Sequence, residues 1–194
     1  KKNKIKFIDK RKKILFAYNS DFGLLPKNKE YLLQDDLNSF MKIFTSNNQF
    51  KNSKLIFKIH PFRNNPKYLN ILKNYNKKFW EIKKDPLILL ARNTDAVLSS
   101  FDSSALLDGL YSGKPSIEFF RTYNNKTNFP KVSLHQIVGI SVSMTKKNIK
   151  ELMIKALFEP NNIIWKKQKK IFNKIYSTNK NSSNIANKVI LKKY

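Results

Sequence analysis

The sequence predicts an α/β domain built on a parallel sheet of about six strands, with helices on both faces and further helices closing the C-terminal end. Three observations predict it. The short, continuous apolar run Ile14-Leu15-Phe16-Ala17-Tyr18 suits a strand buried on both faces, and Leu55-Ile56-Phe57-Lys58-Ile59 reads as a second buried strand. Between them lie segments whose apolar residues recur at helical spacing, such as Leu33, Leu37, Phe40, Met41 and Phe44. No tight hairpin signal such as Asn-Gly joins two strands, so parallel crossovers are the economical connection.

The elements follow in order. After a basic arm, the first strand covers 14–18. A loop with a breaker at Pro26 leads to the helix marked by Leu33 to Phe44. The second strand, 55–59, stops at His60-Pro61, and Tyr68, Leu69, Leu72 and Tyr75 mark the next helix. Phe79 to Ile82 is a short third strand, and a short helix covers Pro86 to Arg92. Ala96 to Phe101 is the fourth strand. It leads into a helix from Ser104 to Ser112, with Gly113 as its C-terminal cap. Pro115 to Phe120 is the fifth strand, and Ile137 to Val142 is the expected sixth. Three amphipathic helices close the chain: one through Ile149 to Leu157, one through Ile164 to Tyr176, and one over roughly Ser183 to Leu191. Residues 1–12 read as a basic arm or linker and 13–194 as a single Rossmann-like domain.

Composition narrows the function. The chain has 194 residues, 41% of them hydrophobic, enough to bury a core and too apolar for a disordered tail. No run of about 18 apolar residues offers a transmembrane helix, and no signal peptide opens the chain. The first residues, Lys1-Lys2-Asn3-Lys4, lack an initiator Met, so a domain cut from a longer protein is expected. With no Cys, disulfides and thiol nucleophiles are excluded, and a cytoplasmic setting is the default. Two His residues, His60 and His135, cannot build a His-rich metal site, so no metal and no cofactor is expected. The four Gly form neither a dinucleotide-binding nor a P-loop pattern, and G-x-S-x-G is absent.

The net charge of +26 points to an anionic partner, although Lys and Asn enrichment also follows from an AT-rich coding sequence. Asp35-Asp36 reads as a solvated helix face, and Trp80 and Trp165 as core. Lys166, Lys167, Lys169 and Lys170 lie opposite the apolar stripe of their helix, where they either face solvent or touch anionic headgroups.

Open parallel sheets bind ligands beyond the carboxyl ends of their strands. The residues at those ends are therefore the candidate site. Ser20, Asp21 and Gly23 follow the first strand, His60 and Pro61 the second, and Asp102, Ser103 and Ser104 the fourth. Glu118 lies within the fifth strand, and Arg121 follows it. Asp102-Ser103-Ser104 opens a helix. There Asp and Ser either cap free backbone N–H groups or help them hold a phosphate, and the two roles are compatible. His60 can donate to phosphate oxygens, act in acid–base chemistry, or simply bond to backbone.

Two segments carry a resemblance. Lys54 to Pro61 ends in His-Pro, and Asp95 to Pro115 contains Asp102-Ser103-Ser104 and then Gly113-Lys114-Pro115. Together they resemble the C-terminal half of GT-B glycosyltransferases. The surface-polysaccharide groups are the most similar: polysialyltransferases, capsule Kdo transferases and CDP-glycerol glycerophosphotransferases. The resemblance runs from about Lys13 to Leu157. It implies half of a GT-B fold, in which His60, Ser103 and Ser104 hold the phosphate of a CMP-, CDP- or UDP-linked donor. His60 would be catalytic, offsetting charge on the departing nucleotide without a metal. Ser20, Asp21, Gly23, Pro61, Asp102 and Glu118 would be rim contacts. It also implies a separate N-terminal acceptor domain as partner and a workplace at the inner face of the membrane. Without that domain the chain should bind donor and transfer little or nothing. UDP-sugar 2-epimerases have similar rims, but their Ser-Gly-Gly signature is absent.

The competing reading is a non-enzymatic polyanion-binding module for nucleic acid or anionic membrane. Its basic runs, Lys10 to Lys13 and Lys166 to Lys170, are short and separated, and no nucleic-acid recognition motif is present.

Overall fold

The computed structural model describes residues 11–18, 30–59, 66–99, 103–119 and 133–176. They form a sheet of six strands: β1 (Lys12–Tyr18), β2 (Ser53–Ile59), β3 (Trp80–Lys83), β4 (Ala96–Ser99), β5 (Ser116–Glu118) and β6 (Val142–Ser143). The spatial order is β3-β2-β1-β4-β5-β6, and every pairing is parallel. The order runs outward from β1 in one direction and then, from β4, in the other. That reversal makes the β1/β4 boundary a topological switch point, the place at which open α/β sheets as a class bind ligands. The helices are α1 (Glu30–Ser46), α2 (Pro66–Lys73), α3 (Leu87–Arg92), α4 (Ala105–Tyr111), α5 (Leu134–Ile137), α6 (Ile149–Phe158) and α7 (Ile163–Tyr176).

The central strands are buried on both faces, which is why apolar residues follow one another along them at 14–17, 55–57 and 96–98. Successive side chains of a strand point to opposite faces. Ile14 and Phe16 of β1 join Leu55, Phe57 and Leu98 in one core, against Leu37, Phe40, Met41 and Phe44 of α1 and Leu152 and Met153 of α6. Leu15, Ile56 and Val97 point to the other face and pack against Leu90 and Ala91 of α3. Leu110 of α4 packs with Ile140 and with Phe172 and Ile175 of α7 in a third cluster.

Two glycines set the geometry of α4. Gly113 adopts φ +72°, and the N–H groups of Gly113 and Lys114 bond the carbonyls of Leu110 and Gly109, so the helix closes with a Schellman cap, as the sequence predicts. At Gly109 the helix backbone lies against the sheet. A Cβ there would sit 2.6 Å from Ser116 Oγ and 2.9 Å from Val97. Gly109→Ala is therefore expected to lower stability by about 1–3 kcal/mol, despite alanine's better helix propensity. Urea denaturation checks this. An unchanged midpoint would contradict so close a helix–sheet contact.

α7 is anchored to β5 by a buried glutamine. Gln168 Nε2 donates to Ser116 O (2.8 Å), and its Oε1 accepts from Ser116 N (3.3 Å). Trp80 and Trp165 are core residues, and each indole N–H donates to a backbone carbonyl, of Tyr75 and Lys155 respectively.

Two expectations need correction. Of residues 137–142, only Val142 belongs to the sixth strand. Ser133 caps α5, its hydroxyl accepting from Gln136 N (3.0 Å), and Gly139 at φ +80° turns the chain into a two-residue β6. Asp36 is not solvated. It is fully buried on α1 and pairs with Lys146 Nζ at 3.4 Å, while Asp35 is exposed as expected. The strand expected over 14–18 begins two residues earlier, at Lys12, the last residue of the basic arm. The helix expected over 183–191 lies outside the described residues.

Candidate functional site

The carboxyl ends of four strands are level. Tyr18 at the end of β1 pairs with Ile59 at the end of β2. Ala17 pairs with Ser99 at the end of β4, and Ser99 with Glu118 at the end of β5. β1 therefore lies between the ends of β2 and β4 at one edge of the sheet. Buried Ser99 ties the switch point together, its hydroxyl donating to Ala17 O (2.8 Å). Across the next strand, Phe119 N bonds Ser99 O at 2.7 Å.

Of the candidate residues, Ser103, Ser104 and Glu118 are described. Ser20, Asp21, Gly23, His60, Pro61, Asp102 and Arg121 lie outside the described residues. In sequence, His60 directly follows the last residue of β2, and Ser103 comes four positions after the last residue of β4.

Ser103 and Ser104 divide the work at the start of α4. Ser103 is partly buried. Its hydroxyl accepts a long bond from Ala105 N (3.3 Å), and its carbonyl accepts from Leu106 N (3.0 Å). Ser104 carries the cap position, yet its side chain is exposed and makes no capping bond. One serine thus closes the turn and the other presents its hydroxyl outward. The helix they open has seven residues. So short a helix carries little macrodipole, and the N–H groups of Ala105, Leu106, Leu107 and Asp108 already bond Ser103 or Ser104, so what this helix start presents is the serine hydroxyls. On the next turn, burial pushes the Asp108 carboxyl above its ordinary range. Desolvation disfavours the charged form of a carboxyl, which is the direction of that shift.

Glu118 is fully buried. Its Oε1 accepts from Ser133 Oγ at 2.5 Å, and its Oε2 accepts from Gln136 Nε2. Its carboxylate therefore holds the N-terminal turn of α5 against β5. Composition and strand position alone did not reveal Ser133 and Gln136. The signal that could have found them is the Ser-x-x-Gln spacing at 133–136, the sequence pattern of a capping box.

No family model matches the chain, and no curated protein does. Solved structures do. SnogD, a glycosyltransferase from Streptomyces nogalater, matches with a TM-score of 0.53 at 14% identity, over 94% of this chain and 44% of that one. TarM from S. aureus, solved with fondaparinux, alpha-GlcNAc-glycerol and UDP, matches with a TM-score of 0.54 at 14% identity, over 93% of this chain and 35% of that one. The glycosyltransferase VinC, solved with dTDP, matches with a TM-score of 0.53 at 9% identity, over 94% of this chain and 42% of that one. The chain has the fold of one half of a GT-B glycosyltransferase. At these identities the likeness concerns fold alone, and the chain spans less than half of each neighbour. Within that GT-B half, the level strand ends and the β1/β4 switch point form the edge at which an open α/β sheet binds its ligand.

Proposed function

We propose that this chain is the donor-nucleotide-binding half of a glycosyltransferase or glycerophosphotransferase of surface-polysaccharide synthesis. In this reading the edge after β2 and β4 holds the donor phosphate. The observation that carries it is the register of β1: Tyr18 pairs with the residue just before His60, and Ala17 pairs with the last residue of the strand that leads to Ser103. Two sequence motifs that share no local pattern thus leave the sheet on either side of one strand.

The chemistry asked of them is modest. The serine hydroxyls donate to phosphate oxygens, and His60 donates to the same group. Donors preorganised around the leaving phosphate stabilise charge as it develops, which is the main electrostatic contribution to such transfers. No metal is required by this arrangement. The donor is CMP-, CDP- or UDP-linked. Acceptor binding and the general base belong to a second domain, so the chain alone binds without efficient transfer. Ser20, Asp21, Gly23, Pro61 and Asp102 are the neighbouring contacts in this reading, and the setting is the inner face of the membrane.

A calorimetric titration with CMP, CDP, UDP and GDP at moderate salt tests the reading, with His60→Ala and Ser103→Ala run beside the wild type. Saturable binding of one nucleotide is expected, weakened about tenfold or more in each variant, as for charge-assisted bonds to phosphate. A weak, equal, salt-sensitive response to all four, unchanged in the variants, would leave only a basic surface and sink the proposal.

A further inference from the structure

The opposite, amino edge of the sheet carries a second feature that the donor reading does not use. A cleft of about 390 Å³ opens there between the starts of β1, β4 and β5 and the turn joining α6 to α7. Leu110, Leu157, Pro160 and Trp165 give it an apolar floor, and Lys12, Lys114, Lys166 and Lys169 surround that floor. A shallower depression of about 320 Å³ shares Lys12 and Lys114 and adds Arg11, Lys13 and Arg92. Seven of the eighteen residues lining the two are cationic, against 39 of 194 in the whole chain, and Asp95 is their one acid. The concentration is therefore about twice what composition alone supplies.

Asp95 does not neutralise the cleft. One of its carboxylate oxygens pairs with Lys12 Nζ (3.1 Å), and the other accepts from Lys13 N (2.8 Å). Among the described residues, Lys114, Lys166 and Lys169 have no carboxylate partner. Apolar side chains flank the same turn in the open. Ile163 is 79% exposed and Phe158 44%. A cationic cleft beside protruding apolar residues matches the two layers of an anionic bilayer surface, phosphate outside and hydrocarbon beneath.

We propose that the amino edge of the sheet, with the α6–α7 turn, docks on an anionic phospholipid surface: a lipid phosphate enters the cleft among Lys114, Lys166 and Lys169, and Ile163 and Phe158 enter the acyl boundary. The proposal extends the membrane setting inferred above and sharpens the reading of α7. Lys166 and Lys169 line the cleft, whereas Lys167 and Lys170 do not. β1 separates this edge from the donor edge by seven residues, roughly 20 Å of strand, so one protein can hold donor and membrane at once.

Flotation with vesicles at physiological salt tests it, using phosphatidylcholine with about a third phosphatidylglycerol against phosphatidylcholine alone. The wild type is expected to bind only the anionic vesicles. Lys166→Glu/Lys169→Glu is expected to weaken that binding about tenfold or more. Lys167→Glu/Lys170→Glu carries the same change in net charge on the same helix and should weaken it several-fold less. Ile163→Ser, which leaves charge unchanged, should weaken it measurably. All five side chains changed in these variants are exposed, and circular dichroism confirms folding of each variant. Equal losses in the two lysine pairs, or equal binding to neutral vesicles, would overturn the proposal. So would saturable binding of inorganic pyrophosphate in the cleft without any vesicle binding. Nucleotide titration reads the donor edge separately, so the two readings fail independently.

Discussion

Phe16→Ala is expected to destabilise the fold by about 3–5 kcal/mol, a large share of the 5–15 kcal/mol that holds a typical domain together. Phe16 lies at the middle of β1, the strand shared by both halves of the sheet, and is fully buried. Its ring centroid lies 4.9 Å from Phe57 on β2, 4.8 Å from Phe119 beyond β5 and 5.9 Å from Phe40 on α1. Removing it would open a cavity among rings carried by three elements, which cannot all move inward together. Phe16→Leu keeps most of the volume and should cost no more than about 1–3 kcal/mol. Urea denaturation distinguishes the two variants, with a lowered midpoint and an unchanged slope. If the alanine variant lost less than about 1 kcal/mol, Phe16 would not be the hub of this core.

The fold was largely legible because a sheet buried on both faces writes itself as short apolar runs, and Ile14 to Tyr18 of β1, Leu55 to Phe57 of β2 and Ala96 to Leu98 of β4 are such runs. Legibility failed where long-range contacts decide. Asp36 occupies the apolar stripe of α1 by spacing, three residues after Leu33 and four before Phe40, but its partner Lys146 is far away in sequence. Gln168 is the same case on α7, three residues after Trp165 and four before Phe172, and its partner is the backbone of Ser116. A polar residue inside a helical stripe was therefore itself the signal of a buried polar contact. The sixth strand failed for a local reason. Residues 137–142 are apolar enough for a strand, yet Ser133 and Gln136 upstream start a helix, and only Val142 and Ser143 reach β5. For the candidate site, the sequence left capping and phosphate binding open at Ser103 and Ser104. The geometry gives Ser103 a capping bond and leaves the Ser104 side chain exposed.

Glu118→Ala is expected to cost about 2–4 kcal/mol, because it removes the acceptor on which two other side chains depend. Ser133 Oγ and Gln136 Nε2 both donate to the Glu118 carboxylate, and Ser133 in turn accepts from Gln136 N, so one buried acid organises the whole first turn of α5. Loss of a partner that leaves buried donors unsatisfied costs their full desolvation, more than the net worth of the bonds themselves. Glu118→Gln has nearly the same shape. Its carbonyl oxygen can still accept from Ser133, and the Gln136 amide can rotate to present its oxygen to the new NH2 group. The glutamine variant should therefore lose only about 1 kcal/mol, and should retain whatever nucleotide binding the wild type shows. Denaturation and nucleotide titration of the two variants together separate a supporting role from a ligand contact. A glutamine variant that folds as stably as expected but no longer binds nucleotide would place Glu118 against the ligand after all. Comparable stability losses in both variants would instead mean that the negative charge of the acid, and not its shape, holds α5 to the sheet.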